Sequence, residues 1–257
     1  MTVRLGGTSP IAVRSTQPKF SDHPPIVLIH GAANSAAVWT LWQPRLSEAG
    51  WASHAIDLSG HGASPSLDLS HTTMADYADD VRRFAAALGV QPIVIGWSMD
   101  GLVSIMVAST GDAAACVALE PSPPTSEIDD TIALRSGAFD STEYGIETAD
   151  PEIQPSMPDL NTDERRIARS SLGQESRMAR DERKRGITIE PLQCPLLLIT
   201  GSGGANKIED YDEPLPTAER YTAQGASHWG LVLSGRAVSK TVSAVLQWLD
   251  DADLTKQ

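Results

Sequence analysis

The feature that most constrains this chain is a regular alternation of short apolar runs with segments of helical spacing. The apolar runs have the length of strands and end in glycine or polar residues; they lie at 24–31, 51–57, 91–98, 114–120, 194–201 and, more weakly, 218–222. Apolar residues at helical spacing follow at 35–49, 74–88, 99–110 and 236–249. Such an alternation is typical of a mostly parallel, buried sheet with helices on both faces. The sequence therefore predicts an α/β fold.

One segment, 121–190, interrupts this alternation. It begins with the proline-rich sequence PSPP and ends with a charged helical run over 162–185. Because the segment lies between two predicted core strands, we interpret it as an inserted cap over the carboxyl ends of the strands, where open α/β sheets bind ligands. The core would then comprise 1–120 and 191–257. A loop packed away from any site is the alternative.

The composition argues against several classes of function. The 20 Lys and Arg residues against 33 Asp and Glu residues give a net charge of −13, which opposes binding to nucleic acid or to an anionic membrane surface. The apolar runs fall short of the roughly 18 to 20 residues that a membrane-spanning helix needs. The amino-terminal sequence MTVRLGGTSPIAVRS lacks the apolar core of a signal peptide. We therefore expect a soluble, cytoplasmic protein that binds a small molecule.

Neither a metal nor a nucleotide cofactor is expected. The two cysteines, Cys116 and Cys194, each lie inside an apolar run, and no His/Cys cluster has the spacing of metal ligands. The sequence GSGG at 201–204 lacks the lysine and the spacing of a phosphate-binding loop, and no GxGxxG follows a strand.

The strongest chemical signal is the sequence GWSMDG at 96–101, which joins an apolar strand to a helical segment. A strand, a tight turn and a helix are what a nucleophile elbow requires, because the serine hydroxyl must project from a strained turn toward a base. The helix that follows supplies backbone N–H groups for an oxyanion. Ser98 is therefore the candidate nucleophile. A turn serine that caps the helix is the simpler alternative.

With this motif the chain resembles the α/β-hydrolase family, whose elbow is written G-x-S-x-G. The sequence departs from the family at Asp100, which stands at the second glycine position and would add negative charge beside the oxyanion. The segment DLSGHG at 57–62 also resembles a loop of the family, and we interpret it as structural. The resemblance implies an α/β-hydrolase fold for nearly all of the chain outside the cap.

The resemblance also implies an oxyanion hole and a pocket wall. The sequence HGAA at 30–33 closes the first long strand, as a similar motif does in the family. By this likeness the N–H groups of Ala32 and Met99 are the two oxyanion donors, with Ala33 as the substitute for the first. Trp97 and Trp229 flank the candidate catalytic residues in sequence and are expected to line the substrate pocket.

The order of catalytic residues in the family is nucleophile, acid, histidine, and His228 in GASHWG is the histidine that follows Ser98 in the sequence. The family's usual acid position falls on Gly204, so we place the acid at Glu120, which ends the strand after the nucleophile. This order resembles the zearalenone-type lactonases. A carboxylate at the end of an apolar strand also needs a partner, which His228 would supply. Three carboxylates of the acidic loop IEDYDE remain as alternatives: Glu209, Asp210 and Asp212.

These residues predict a serine hydrolase that cleaves a carboxylic ester or lactone through a Ser-His-acid triad and an acyl-enzyme. Two rival functions stay open. A carbon-carbon bond hydrolase of the same fold would use the same triad, and a hydrolase-like ligand-binding protein of weak activity would account for Asp100.

Overall fold

The computed structural model describes residues 2–3, 10–144, 157–204, 206–252 and 254. Within these residues it has ten strands: β1 (Thr2–Val3), β2 (Ile11–Thr16), β3 (Ile26–Ile29), β4 (Ser53–Asp57), β5 (Ile93–Trp97), β6 (Ala115–Leu119), β7 (Ala138–Asp140), β8 (Gln174–Ser176), β9 (Leu196–Gly203) and β10 (Glu219–Ser227). Eight of them form one sheet in the order β1-β2-β4-β3-β5-β6-β9-β10, and β7 pairs with β8.

The central part of the sheet is parallel, as the apolar runs predict. Strands β4, β3, β5, β6, β9 and β10 run in one direction, and β3, β5 and β6 are buried along their whole length. Strands β1 and β2 extend the sheet in the antiparallel sense, and the sequence analysis missed both. Because the second half of β2 is partly exposed, it lacks the continuous apolar run of a strand covered on both faces.

Seven α-helices accompany the strands in the described part of the chain: α1 (Trp42–Glu48), α2 (Met74–Leu88), α3 (Met99–Ser109), α4 (Thr162–Ser170), α5 (Arg177–Arg185), α6 (Gly230–Leu233) and α7 (Gly235–Asp251). The segment 35–49, predicted as one helix, is a short 3-10 helix at Ala36–Trp39 followed by α1. Pro44 explains the break, because a proline is tolerated only in the first turn of a helix. Among the described helices, none is both long and apolar enough to cross a membrane.

The two faces of the sheet bury separate apolar layers. On one face, Trp39 and Trp42 pack with residues of α6 and α7. On the other face, Tyr77 and Phe84 of α2 pack with α3. The sheet is therefore covered on both sides, which confirms the predicted α/β class and leaves the carboxyl ends of its parallel strands as the edge on which a site can be built.

The segment predicted as a cap lies between β6 and β9 and contains β7, α4, β8 and α5. The run 162–185, predicted as one helix, is two helices separated by β8. Helix α4 ends here because the Ser171 hydroxyl donates to the Ala168 carbonyl in its last turn. The Gly173 N–H then donates to the Ala33 carbonyl of the core, 2.8 Å away. Residues 145–156 of the predicted cap lie outside the described residues.

A side-chain cap at the start of α2 generates a prediction about stability. The Thr73 hydroxyl accepts a hydrogen bond from the Asp76 N–H, and the Asp76 carboxylate accepts one from the Thr73 N–H. Replacing Thr73 by Ala should lower the free energy of unfolding by about 1 kcal/mol, because an N–H of the first turn loses its acceptor. Urea denaturation would measure this. Ser243→Ala, which removes an exposed hydroxyl from the interior of α7, is the control and should leave stability nearly unchanged.

Candidate active site

Ser98 lies in a sharp turn between β5 and α3, with φ 60° and ψ −130°. A positive φ at a residue with a side chain costs of order 1–3 kcal/mol and persists only when neighbouring contacts hold it. Here the Ser98 N–H donates to the Leu119 carbonyl at 3.0 Å, and the Ser98 carbonyl accepts from the Gly101 and Ser122 N–H groups, each at 3.1 Å. The strained turn is therefore fixed by the end of β6.

Two glycines allow this turn to form. A Cβ at Gly96 would lie 2.4 Å from the Asp100 carbonyl oxygen, and a Cβ at Gly101 would lie 2.8 Å from the Pro121 Cβ. Contacts this short are not possible for real side chains, so both positions need glycine. Helix α3 therefore packs closely against the chain just after β6 at Gly101. This position is one residue beyond Asp100, where the sequence departs from the family pattern.

The structure brings His228 and Glu120 to Ser98. The His228 Nε2 lies 2.9 Å from the Ser98 Oγ, and the His228 Nδ1 lies 3.4 Å from the Glu120 Oε1. The Trp97 indole N–H donates to the His228 carbonyl at 3.1 Å, and its ring lies 5.0 Å from the imidazole ring. The side chains of Glu120, His228 and Ser98 thus follow one another from a buried carboxylate to a hydroxyl. This is the arrangement that activates a serine.

Glu120 is buried, and its backbone has φ 41°. Its carboxylate accepts hydrogen bonds from the N–H groups of Asn206 at 3.2 Å and Gly201 at 3.4 Å. Burial by itself would raise the pKa of Glu120, but contact with His228 and these N–H groups outweighs burial and lowers the pKa below its usual value. The carboxylate is therefore charged at neutral pH, as an acid that stabilises an imidazolium must be.

The family's usual acid position is Gly204 in this sequence, and its surroundings explain why no carboxylate stands there. A Cβ on Gly204 would lie 2.1 Å from the Glu120 Oε2. The carboxylate of Glu120, which extends from β6, therefore fills the space that a side chain at position 204 would need. The glycine at position 204 and the acid at position 120 therefore depend on each other, because a side chain at 204 would occupy the place of the Glu120 carboxylate.

The three alternative carboxylates lie elsewhere. Glu209, Asp210 and Asp212 are exposed, on or next to a 3-10 helix at Ile208–Tyr211. Asp210 accepts from the Lys207 N–H at 2.8 Å, and Asp212 forms an ion pair with Arg220 at 3.1 Å. These partners belong to the loop itself or to β10, and His228 is not among them.

The loop after β3 contains one candidate oxyanion donor, Ala32, and its substitute, Ala33; the other donor, Met99, is the first residue of α3. Ala33 has φ 54°, its N–H donates to the Glu175 Oε2 at 2.9 Å, and its carbonyl accepts from the Gly173 N–H. The N–H of Ala33 is thus already used, which argues against it as the substitute donor. Among the described residues, the N–H groups of Ala32 and Met99 have no acceptor, and Ala32 lines the cavity above Ser98.

The loop after β3 also contacts a buried polar cluster, which the sequence analysis did not predict. Glu175 of the cap lies at its centre: its carboxylate accepts from the Tyr77 hydroxyl at 2.5 Å and lies 3.4 Å from the His61 Nε2. His30 stands beside it, with Nδ1 2.9 Å from the Gly31 carbonyl and Nε2 accepting from the Leu58 N–H. A polar residue of the cap thus fixes a core loop through charge and hydrogen bonds, and the residues involved are far apart in sequence.

The members of this cluster differ in charge. Burial by itself would lower the pKa of His61, but the Glu175 carboxylate outweighs burial and raises the pKa to about 9. Burial and the neighbouring His61 lower the pKa of His30 to about 4, so it is neutral. Burial and the charge of Glu175 raise the pKa of Asp100 well above its usual value. This shift disfavours the charged form of Asp100 and so reduces the negative charge beside the oxyanion site.

Ser98, His228 and Ala32 open into a cavity of about 620 Å³. Trp97 and Trp229 line it, as expected for a pocket wall, with their rings 4.9 Å apart in an edge-on arrangement. Its polar lining residues include Asn34, Ser122, Tyr144, Arg183 and Asn206. The pocket therefore combines apolar and polar lining residues with the nucleophile.

Comparison with known proteins decides the family. A family model described as the alpha/beta hydrolase fold matches residues 24–188, more than half of the chain. The chain belongs to the α/β-hydrolase fold family. The match begins just before β3 and includes the Ser98 elbow, the predicted acid Glu120 and most of the cap.

Curated relatives of this α/β hydrolase match it over shorter stretches. It is 34% identical over 85 residues to a pimeloyl-[acyl-carrier protein] methyl ester esterase of Aliivibrio fischeri, covering 33% of this chain and 31% of that protein. It is 37% identical over 76 residues to a pyrethroid hydrolase of Sphingobium wenxiniae, covering 30% and 27%. The chain thus spans about a third of the length of the curated relatives it matches.

Solved structures match over nearly the whole length. A thioesterase domain from the curacin biosynthetic pathway superposes with a TM-score of 0.70 at 18% identity, covering 96% of this chain and 98% of that one. An esterase from Thermogutta terrifontis superposes with a TM-score of 0.69 at 18% identity, covering 98% and 97%. At this identity the likeness shows the α/β-hydrolase fold, in agreement with the sheet order described above.

The steric argument at Gly204 generates a kinetic prediction. Gly204→Ala should displace the Glu120 carboxylate and lower kcat on an ester substrate by about 10- to 100-fold, because small misplacements of a catalytic group have effects of this size. Gly203→Ala is the matched control, since a Cβ there would lie 3.3 Å from the Ala226 carbonyl oxygen and away from Glu120. Equal activity of the two variants would contradict the steric argument.

The buried His61–Glu175 pair generates a prediction about pH. Because the pKa of His61 is about 9 in the folded chain against an ordinary value of 6.5, its contribution to stability is complete below pH 6.5 and disappears as the pH rises through 9. The free energy of unfolding should therefore fall by up to about 3 kcal/mol between these pH values. Denaturant unfolding at a series of pH values would measure the slope.

The slope should be smaller in Glu175→Gln, because the pKa of His61 is then no longer raised by a carboxylate. Glu143→Gln is the matched control, since Glu143 pairs with Arg177 and Arg180, whose side chains do not titrate in this range. A wild-type slope unchanged by Glu175→Gln would show that another group causes it.

Proposed function

We propose that this α/β hydrolase is a serine hydrolase that cleaves carboxylic esters, lactones included, through an acyl-enzyme. The single observation that carries the proposal is the 2.9 Å separation of the His228 Nε2 and the Ser98 Oγ, on a strained turn that opens into a cavity. This is the contact that a general base needs to remove the hydroxyl proton as the serine attacks.

In the acylation step, the Ser98 Oγ attacks the ester carbonyl while its proton passes to the His228 Nε2. The carbonyl oxygen becomes an oxyanion, which the N–H groups of Ala32 and Met99 stabilise. The C–O bond to the alcohol then breaks, and the His228 imidazolium returns the proton to the leaving oxygen. Throughout, the Glu120 carboxylate near the His228 Nδ1 holds the imidazole and stabilises its charged form.

Deacylation repeats these steps with water as the nucleophile. His228 takes a proton from water, the hydroxide attacks the acyl carbon, and the Ser98 Oγ leaves with that proton. In a lactone the acid and the alcohol belong to one molecule, so the alcohol stays attached to the acyl-enzyme until water releases the hydroxy acid. In this scheme the side chains and backbone amides of the chain perform every proton transfer and charge stabilisation, and no cofactor takes part.

Two observations favour ester hydrolysis over the rival functions. The curated relatives matched in part of the chain are an esterase of a methyl ester and a pyrethroid hydrolase, which supports ester cleavage over carbon-carbon bond cleavage. Burial and the charge of Glu175 raise the pKa of Asp100, which disfavours its charged form, so the residue that favoured a binding protein of weak activity is a weaker obstacle to an oxyanion.

Initial rates on short-chain p-nitrophenyl esters test the proposal. Ser98→Ala should lose at least about 1,000-fold in kcat, because the nucleophile is removed. Glu120→Gln should lose about 1,000- to 10,000-fold, because the imidazolium loses its counter-charge. Asp210→Asn is the matched control for the acid, since it removes an exposed carboxylate from the rival loop, and it should keep wild-type activity.

The outcomes separate the parts of the proposal. Turnover that survives Ser98→Ala would contradict serine catalysis. Full activity in Glu120→Gln with loss in Asp210→Asn would transfer the role of the acid to the 209–212 loop. Electrospray mass spectrometry of His228→Ala after incubation with a p-nitrophenyl ester should detect no acyl adduct on the chain.

A further inference from the structure

Helix α5 of the cap carries four arginines, and their partners differ. Arg177 and Arg180 both form ion pairs with Glu143, and Arg185 forms one with Asp130. The fourth, Arg183, lines the cavity above Ser98. Among the described residues its hydrogen-bond partner is a neutral one, the Ser122 hydroxyl at 3.1 Å.

The surroundings of Arg183 leave its positive charge uncompensated. The side chain is half-buried, and no carboxylate of the described residues lies within ion-pair distance of it. Asp100 interacts electrostatically with Arg183 without forming an ion pair with it among the described residues, and Glu120 is paired with His228. A partly desolvated cation without a counter-ion is unfavourable unless an anion joins it.

Arg183 is also close to the reacting centre. Its partner Ser122 donates its backbone N–H to the Ser98 carbonyl at 3.1 Å. The Ser122 hydroxyl and the Arg183 guanidinium thus lie in one cavity with Ser98, where they can hold a group of a molecule whose ester carbonyl meets the nucleophile. The chain as a whole has a net charge of −13, so Arg183 places a positive charge in the cavity of a protein that is otherwise strongly negative.

We propose that Arg183 binds a carboxylate of the substrate, so that the preferred substrates are esters or lactones that carry a free carboxylate near the scissile bond. The inference rests on the proposed ester hydrolysis and names its substrate class. A guanidinium presents two parallel N–H donors that match the two oxygens of a carboxylate. A carboxylate fits better than a phosphate dianion, because Arg183 is the one arginine or lysine among the described lining residues and balances a single negative charge.

The test compares two esters of the same shape, monomethyl glutarate and methyl glutaramate, whose far ends are a carboxylate and a neutral carboxamide. Wild-type enzyme should prefer the carboxylate ester by about 10- to 100-fold in kcat/KM, the range expected for a hydrogen bond between charged groups. Arg183→Met should abolish this preference, mainly by raising KM for monomethyl glutarate. Monomethyl succinate and monomethyl adipate extend the comparison to shorter and longer substrates.

Arg185→Met is the matched control, because it removes an arginine of the same helix whose partner is Asp130; the preference for the carboxylate should persist. If wild type and Arg183→Met hydrolyse both esters with the same ratio, the inference is overturned and ester hydrolysis stands. If wild-type enzyme hydrolyses neither of the two esters nor any p-nitrophenyl ester, the result contradicts the proposed ester hydrolysis itself.

Binding to the Ser98→Ala variant tests the site without turnover. Isothermal titration calorimetry with glutarate should detect binding that Ser98→Ala/Arg183→Met loses by at least about 10-fold in affinity and that Ser98→Ala/Arg185→Met keeps. Binding of glutarate that is indifferent to Arg183 would overturn the inference. Tighter binding of inorganic phosphate than of glutarate would overturn the assignment of a carboxylate.

Discussion

The site depends on the hydrogen bonds that join the carboxyl ends of three neighbouring parallel strands. Trp97 of β5 is in register with Leu119 of β6, which is in register with Ile199 of β9. One residue further along, the Ser98 N–H donates to the Leu119 carbonyl and the Glu120 N–H donates to the Ile199 carbonyl. These bonds hold two residues with positive φ, Ser98 and Glu120, so the same ladder that builds the sheet places the nucleophile and the carboxylate at one edge.

The segment between β6 and β9, which we predicted to be a cap, contributes charged groups to the site. Glu175 accepts hydrogen bonds from the Ala33 N–H and the Tyr77 hydroxyl and forms an ion pair with His61. The loop that contains the candidate oxyanion donor Ala32 is therefore held by a buried charge that comes from the inserted segment. Arg183, eight residues further along the cap, supplies a positive charge on the cavity side. The inserted segment thus holds the loop after β3 through Glu175 and adds a positive charge to the pocket through Arg183.

Local patterns explain which parts of the fold and site were predictable. The continuous apolar runs of β3, β5 and β6 identify strands covered on both faces, and the glycines around Ser98 identify a tight turn, because both signals reside in adjacent residues. Strand β2 was missed because its exposed half interrupts the apolar pattern. The predicted helix over 162–185 was wrong because contacts to the core, among them the bond from Gly173 to Ala33, end α4 early.

The sequence by itself determined the α/β class, the sheet of parallel strands and the elbow at Ser98, because hydrophobic periodicity and turn chemistry act over a few neighbouring residues. Only the tertiary structure decided that the Glu120 carboxylate fills the space beside Gly204, that burial raises the pKa of Asp100, and that Arg183 has no counter-ion among the described residues. These properties arise between groups distant in the chain: Glu120 meets Gly201 from 81 residues away, and Glu175 meets Ala33 from 142 residues away. Charge and steric fit depend on such spatial neighbours, which no local pattern specifies.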